Sequence, residues 1–364
     1  MTKNSEYMHG GSPLEDIKRF GLDEKDVLDF SVSLNPLGPP AVIRENWMEL
    51  LNLIEGYPSV GGEGIIDFYG KKFGIPQGDV MAGNGSTELI YLISRVLGFK
   101  RVAIITPSFH DYERASIISG AEVIKYGLSD EDAFSYPDVS MLIELFKNAE
   151  AMWIGRPNNP TGNILPKELA MELAGMFPEK MFIFDEAFIQ FMEDWEDESL
   201  LMEKRIPNIL VLHSLTKFYA VAGIRLGGLI GNDDIISIIK EKKEPWTVNN
   251  MAEKVAKLLI DCDDYERKSR SFIKVERERL VNKLGSIKRI AAFPSTANFI
   301  LCEWQGTEDM DHLLKYLLLN GVYVRDCRNF EGLEKGFFRI GIRSVEENER
   351  LLSLLKSYTD GTGG

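Results

Sequence analysis

The sequence predicts an α/β protein: a large domain built on a mostly parallel sheet, followed by a smaller C-terminal α+β domain. Three observations lead there. Four apolar runs, at residues 102–106, 151–155, 181–185 and 209–213, are hydrophobic on both faces, as buried parallel strands are. Helical stretches such as 167–176 lie between such runs and give the βα alternation of a doubly wound sheet. After about residue 250 the rhythm changes. A long charged helix at 251–283 leads into three strand-like runs at 298–303, 322–325 and 337–342. The expected division is an N-terminal arm (1–40) that contributes to the substrate site, a large domain (41–250) and a small domain (251–364).

Length and composition agree with this. A chain of 364 residues, 44% hydrophobic and 27% charged, has enough apolar material for about two domains or one large α/β unit. The formal net charge of −14 argues against a protein that grips nucleic-acid phosphates or a basic membrane-surface protein. It reads most simply as solubility. An anionic small molecule is still a suitable substrate, because a few convergent arginines can dominate one pocket. Cys262, Cys302 and Cys327 are far apart and show no CxxC spacing, so neither a disulfide framework nor a metal site is expected. Residues 1–25 are mostly polar, with no run of the length of a signal or membrane segment. A reducing, cytoplasmic setting fits.

In an open α/β sheet, ligands bind beyond the carboxyl ends of the strands. Ser214-Leu215-Thr216-Lys217-Phe218 occupies such an end, followed by Gly223-Ile224-Arg225-Leu226-Gly227. A lysine there can form a Schiff base with an aldehyde cofactor if its surroundings lower its pKa. Ser214, Thr216 and Arg225 then offer two hydroxyls and a guanidinium to a phosphate. Alone, Lys217 would read as an ordinary loop lysine, and the surrounding pattern reverses that. Asp185 ends another strand, 32 residues earlier, where a carboxylate can keep a pyridine nitrogen protonated. On its own it would read equally well as a helix cap.

Gly83-Asn84-Gly85-Ser86-Thr87-Glu88 is a glycine-containing turn that opens a helix, which suits a phosphate. Arg156-Pro157-Asn158-Asn159-Pro160-Thr161-Gly162 follows a third strand, and one of its asparagines could reach a ring hydroxyl. His110, His213 and His312 read as a loop, a strand-end and a helix residue. The acidic run 193–198 reads as a solvated loop, and the charged face 266–279 as exposed helix.

Taken in order, GNGSTE, PNNPTG, DEAF, SLTKF and GIRLG resemble the fold-type I pyridoxal-phosphate (PLP) enzymes of the aminotransferase class over nearly the whole chain. Within that class the sequence is similar to histidinol-phosphate aminotransferases. It is closer still to the L-threonine-O-3-phosphate decarboxylases of cobalamin biosynthesis. The narrower likeness rests on His9-Gly10-Gly11 with Asp29-Phe30-Ser31, on SLTKFYA, and on Val324-Arg325-Asp326-Cys327 continuing to Phe338-Arg339-Ile340-Gly341-Ile342-Arg343-Ser344.

The resemblance implies a fold-type I architecture whose large domain binds PLP. It makes Lys217 the Schiff-base lysine, Asp185 the partner of the ring nitrogen, Asn159 the contact to the ring hydroxyl and a candidate contact to the substrate, and Phe109 the residue covering the ring. Gly85, Ser86, Ser214, Thr216 and Arg225 would bind the cofactor phosphate. Tyr57 would reach the neighbouring site of a homodimer. Arg339 would hold the substrate carboxylate; Arg325, with His9 and Gly10 of the arm, would hold the substrate phosphate. Ser33 and Asn35 complete the substrate side.

The implied reaction is decarboxylation of O-phospho-L-threonine to (R)-1-aminopropan-2-yl phosphate. The alternatives are a histidinol-phosphate-type aminotransferase or a decarboxylase preferring O-phospho-L-serine; a PLP-binding regulator without turnover would need a DNA-binding segment for which no length is left. The sequence departs from the family pattern twice. Phe188 stands where aminotransferases usually have Tyr, and Ser33 stands where the decarboxylases tend to have Asn.

Overall fold

A computed structural model describes residues 14–361. His9 and Gly10 lie outside the described residues, as does the 362–364 tail. The strands are, in chain order, β1 (Leu28–Asp29), β2 (Val80–Asn84), β3 (Arg101–Thr106), β4 (Glu122–Gly127), β5 (Ala151–Gly155), β6 (Met181–Asp185) and β7 (Ile209–Ser214). They continue with β8 (Leu226–Ile230), β9 (Ile290–Ala292), β10 (Phe299–Trp304), β11 (Val322–Tyr323), β12 (Arg325–Asp326) and β13 (Phe337–Gly341).

The large sheet has the order β2-β8-β7-β6-β5-β3-β4. Its pairings from β4 through β7 are parallel. Only β8 runs against its neighbours, antiparallel to both β7 and β2. The four strands expected from apolar runs are the adjacent β3, β5, β6 and β7. Their side chains are buried from both sides, and the stacked rings of Phe146 and Phe182, 4.6 Å apart, are part of the packing.

Strands β2, β4 and β8 were not legible in the sequence. β2 and β8 carry glycines, which weaken the strand signal. In β8 the neighbours require them. A Cβ on Gly228 would sit 2.4 Å from the Tyr69 ring, and one on Gly227 would sit 2.6 Å from the Gly85 carbonyl carbon. β4 is an edge strand with only part of its surface covered, so its residues are not a continuous apolar run.

The second sheet, β12-β13-β10-β9, is antiparallel. The strand expected at 322–325 is two short strands. β11 pairs in parallel with β1, and after Val324 the chain switches sheets so that β12 pairs with β13. Through this switch the arm is sewn into the C-terminal part. The Phe30 N–H donates to the Tyr323 carbonyl at 2.7 Å, and the Gly341 N–H donates to the Phe30 carbonyl at 2.7 Å.

The helix expected at 251–283 is likewise two helices, Asn250–Leu258 and Asp263–Gly285. Lys72 holds the break. Its Nζ donates to the Ile260 carbonyl at 3.0 Å and forms an ion pair with Glu266 at 2.9 Å. Asp263, Asp264 and Glu266 in the new first turn complement the positive end of the helix dipole.

Two readings of surface charge need correcting. On the 266–279 face, Glu266 and Glu276 are buried, accepting from Tyr219 Oη at 2.6 Å and Asn348 Nδ2 at 2.8 Å. The 193–198 run contains a helix, Trp195–Glu198, and Glu198 binds Arg156 through its carbonyl and its carboxylate, both at 3.2 Å. Of the histidines, His213 lies in β7 and His312 in the helix Met310–Leu319 as expected, whereas His110 is buried at the start of the helix His110–Ile118.

Among the described residues, no helix is long and apolar enough to cross a membrane. Among the same residues, no cluster of three or more His, Cys, Asp or Glu could hold a metal ion.

Candidate active site

The carboxyl ends of β3, β5, β6 and β7 open toward one place. Leaving β7, the chain makes the short helix Leu215–Phe218 that carries Lys217. That turn is pinned from outside. The Asn35 N–H donates to the Lys217 carbonyl at 3.1 Å, and Tyr265 Oη donates to the Phe218 carbonyl at 3.2 Å. Burial pushes the Lys217 ammonium down to about 8, helped by the charges of Arg339 and Arg225, while Asp185 pulls the other way. The amine is therefore far more available as a nucleophile near neutral pH than a surface lysine.

Asp185 ends β6 and is buried. Its Oδ1 accepts the Ala187 N–H at 3.0 Å, and its Oδ2 accepts Tyr112 Oη at 2.8 Å. Burial pushes the carboxyl up to about 6, against the lowering effect of those donors and of Lys217. The sequence did not single out Tyr112. It stands three residues after Phe109, the N-cap of the helix His110–Ile118, a spacing that puts both rings on one side of the turn. The rings meet edge-on, with centroids 5.6 Å apart.

On the other flank, β2 ends at Asn84 and the helix Gly85–Leu97 starts at Gly85, whose φ is +74°. The Arg225 guanidinium lies directly over that glycine. A Cβ there would sit 2.4 Å from its Nη2, a contact the flexible side chain can relieve, so it is the left-handed φ that favours glycine. Ser214 and Thr216 share a hydrogen bond of 2.8 Å between their hydroxyls. Helix-start N–H groups, two hydroxyls and a guanidinium are the donor set of a dianion site.

The second sheet brings two buried arginines to this end of the molecule, of which Arg339 is near enough to Lys217 for its charge to act on the amine. Arg325 and Arg339 are direct register partners on β12 and β13. Like charges placed so repel one another, and the Asp29 charge partly offsets this at Arg339. Burial, together with the Arg325 charge and against the pull of Cys327, lowers the Arg339 pKa to about 10. Arg339 donates to the Ser31 carbonyl at 3.0 Å and to Asn159 Oδ1, while its Nε is buried with no partner in the structure. Arg325 donates to Asn329 Oδ1 at 3.0 Å, and the Asn329 amide lies 3.2 Å from His110 Nε2.

The two asparagines of the PNNP turn are thereby told apart. Asn158 is buried and spends its amide on the Pro107 carbonyl and Thr161 Oγ1, both at 2.8 Å, whereas Asn159 is the one joined to Arg339.

Ser31, Ser33 and Asn35 point inward from the arm, with half-buried Val32 and Leu34 between them, which inverts the usual apolar-inside alternation. The Ser33 hydroxyl is buried without a partner. Asn35, expected at the substrate, has both amide hydrogens committed to the protein, with 2.8 Å to the Phe218 carbonyl and 2.7 Å to Ser269 Oγ. It ties the arm to the lysine turn.

Phe188 packs edge-on against Phe299 at 5.0 Å, and Arg339 lies over the same Phe299 ring at 4.9 Å. Tyr57 is 88% exposed, next to Trp246 at 5.8 Å. Beneath the site, Arg156 and Glu186 form an ion pair of 2.7 Å with both side chains fully buried. Glu186 also accepts from Ser199 Oγ at 2.5 Å and the Leu200 N–H at 3.0 Å. Neither member of this pair stands out in the sequence.

Residues 25–355 match the family described as aminotransferase class I and II. The chain belongs to that family. Among its relatives, the threonine-phosphate decarboxylase of Salmonella typhimurium is 32% identical over 97% of both chains. The histidinol-phosphate aminotransferase of Clostridium kluyveri is 35% identical over 82% of this chain and 83% of its own. The crystal structure of the histidinol-phosphate aminotransferase from Clostridium acetobutylicum superposes with a TM-score of 0.86 at 31% identity, covering 92% of this chain and all of the other.

The aminotransferase class I and II family uses PLP, and the residues present fit that cofactor. An amine with a depressed pKa, a buried carboxylate and a dianion cradle closed by Gly85 surround one space.

Proposed function

We propose that this aminotransferase-family protein decarboxylates O-phospho-L-threonine to (R)-1-aminopropan-2-yl phosphate and CO2, in the cytoplasm. The observation that carries the reading is the pair of buried, register-matched guanidiniums of Arg325 and Arg339, the second of them near enough to Lys217 to act on its charge. Two cations at the substrate end call for two anions on one molecule, and a phosphorylated amino acid has them. Histidinol phosphate has a phosphate but no α-carboxylate, although the 2-oxoglutarate that an aminotransferase also needs brings two anions of its own. The 32% identity to a decarboxylase across the whole chain supports the same choice. Three free, buried cysteines suit a reducing compartment.

In this reading Gly85, Ser86, Ser214, Thr216 and Arg225 would hold the cofactor phosphate, Lys217 would offer its amine to the aldehyde, and Asp185 would pair with the ring nitrogen. Asn159 would serve the ring hydroxyl, and Phe109 would pack on the ring. Bound PLP supplies an electron sink for the bond broken at Cα. Arg339, braced by Asn159 and the Ser31 carbonyl, takes the carboxylate. Arg325, braced by Asn329, takes the phosphate together with the arm, and Ser33 lines the space between. Gripping both ends fixes rotation about the N–Cα bond and so selects which Cα substituent leaves. When the carboxylate leaves as CO2, Lys217 Nζ returns a proton to Cα.

A second copy of the chain completes the site. Trp47, Met48, Ile54, Tyr57, Val60 and Trp246 are all exposed, and Tyr57, Val60 and Trp246 lie side by side, with the two rings 5.8 Å apart and the Trp246 backbone N–H donating to the Val60 carbonyl at 3.3 Å. Asn250 Nδ2 fixes the backbone beside Tyr57 by donating to the Gly56 carbonyl at 2.6 Å. We place this face at a homodimer interface with Tyr57 reaching the neighbouring phosphate cradle.

The test is incubation of the PLP-loaded protein with O-phosphothreonine, O-phosphoserine, or histidinol phosphate plus 2-oxoglutarate. CO2 and amine phosphate should form from phosphothreonine without any keto acid. Rapid glutamate formation from histidinol phosphate without CO2 would mean an aminotransferase instead.

A further inference from the structure

We infer that Tyr112 is a positioning residue: its hydroxyl keeps Asp185 an ionised, weakly basic carboxylate, so that the proton between Asp185 and the cofactor's ring nitrogen stays on the nitrogen. The inference rests on the proposed pairing of Asp185 with that nitrogen.

The geometry is fixed by three elements. Tyr112 lies in the first turn of the helix His110–Ile118, and its hydroxyl donates to Asp185 Oδ2 at 2.8 Å. Asp185 Oδ1 is engaged separately by the Ala187 N–H at 3.0 Å, so each carboxylate oxygen has its own donor. The phenol ring is clamped in turn. It stacks on Trp153 with centroids 5.2 Å apart and planes 6° from parallel. Trp153 belongs to β5, the strand hydrogen-bonded to the β6 that ends in Asp185. Tyr112 and Asp185 are both buried, so water does not compete for the contact. Burial and the Asp185 charge both raise the phenol pKa, so Tyr112 remains a donor throughout the working pH range.

A hydrogen bond to an ionised carboxylate lowers its proton affinity. Buried carboxylates otherwise drift toward the neutral form, and burial drives Asp185 in that direction. A neutral Asp185 would leave the ring nitrogen without its full positive charge and blunt the electron sink. Tyr112 acts against that drift without touching the substrate, which is anchored across the site by Arg325 and Arg339. Loss of its hydroxyl should therefore slow turnover and leave substrate binding alone.

The test uses holoenzyme carrying PLP labelled with 15N in the ring. The nitrogen shift is followed from pH 6 to 9 in the wild type, Tyr112→Phe and Asp185→Asn, alongside steady-state kinetics. Phenylalanine keeps the ring contacts with Trp153 and Phe109 and removes only the hydroxyl. The expected result is a protonated ring nitrogen in the wild type and a shift toward the unprotonated value in Tyr112→Phe. With it, kcat should fall about tenfold or more, as for a lost hydrogen bond to a charged group, with KM unchanged. If Asp185→Asn moves the nitrogen signal and Tyr112→Phe does not, the role of Tyr112 is overturned while the Asp185 pairing stands. If Asp185→Asn leaves the signal where it was, or the wild-type nitrogen is already unprotonated, the pairing itself fails and the Tyr112 inference with it.

Discussion

Asp185→Asn should make the cofactor-free protein more stable, although it removes the proposed partner of the cofactor's ring nitrogen. In the folded chain burial raises the Asp185 carboxyl from 3.8 to about 6. Between those two values the folded state binds more protons than the unfolded state, so stability falls as pH rises through the window. Above pH 6 the full penalty is in force. At about 1.4 kcal/mol per pH unit, a gap of about two units costs about 3 kcal/mol. Asparagine keeps an oxygen for the Ala187 N–H, and Tyr112 can accept from its amide, so little else is lost.

Urea unfolding of cofactor-free wild type and variant should then show the variant ahead by up to about 3 kcal/mol at pH 7.5, with the lead closing below pH 4. Saturating PLP should reverse the order, because the bound ring gives the wild-type carboxylate a cationic partner. A variant no more stable than wild type at pH 7.5, or a difference that does not change between pH 4 and 7, would refute the reasoning.

The other expectations are simpler. Lys217→Ala should lose covalent retention of PLP after borohydride reduction, and an unchanged labelled peptide would show that another residue carries the cofactor. Arg325→Ala should weaken phosphorylated amino acids by about 2–5 kcal/mol, and their unphosphorylated counterparts far less, in competition or KM measurements. Glu186→Gln leaves the buried Arg156 charge with Glu198 as its one carboxylate partner, and should lower the urea-unfolding free energy by about 3 kcal/mol with an unchanged m-value.

What could be read from the sequence followed from signals that are local. Lys217, Asp185 and the PNNP turn stand where the apolar runs of β7, β6 and β5 stop, and that abrupt change from apolar to polar marks a strand's carboxyl end. Gly85 was legible as a glycine turn opening a helix, a weak signal alone that gained weight from the motifs following it, whereas the Arg225 guanidinium above it comes from a segment 140 residues on. The residues that escaped are defined by long-range partners. Tyr112 looks like any tyrosine on a helix until β6 brings Asp185 to it. Arg156 and Glu186 enter only as flanking letters of PNNPTG and DEAF, because nothing in the sequence pairs them. Asn35 reads as a substrate contact in the sequence, and only the approach of Phe218 and Ser269 shows its amide to be engaged elsewhere. Glycine-bearing β2 and β8 were missed for the opposite reason: their composition argues against the structure their neighbours impose.

The threading of the arm has a consequence for biosynthesis. Leu28 finds its partner in Val322, and Phe30 is clasped by Gly341 in the last strand, so the beginning of the chain cannot dock until nearly all of it has been made. Lys217 precedes Arg339 by 122 residues. At a ribosomal pace of about 5–20 residues per second, the lysine waits on the order of ten seconds for the arginine. Cofactor-side residues are therefore synthesised well before the anion-gripping wall exists. A chain cut short ahead of Phe337 has the partners of Leu28 and Asn35 but lacks both Arg339 and Gly341, the clasp of Phe30, so in the proposed reading premature termination cannot yield a half-working enzyme that holds an amino-acid phosphate at both ends.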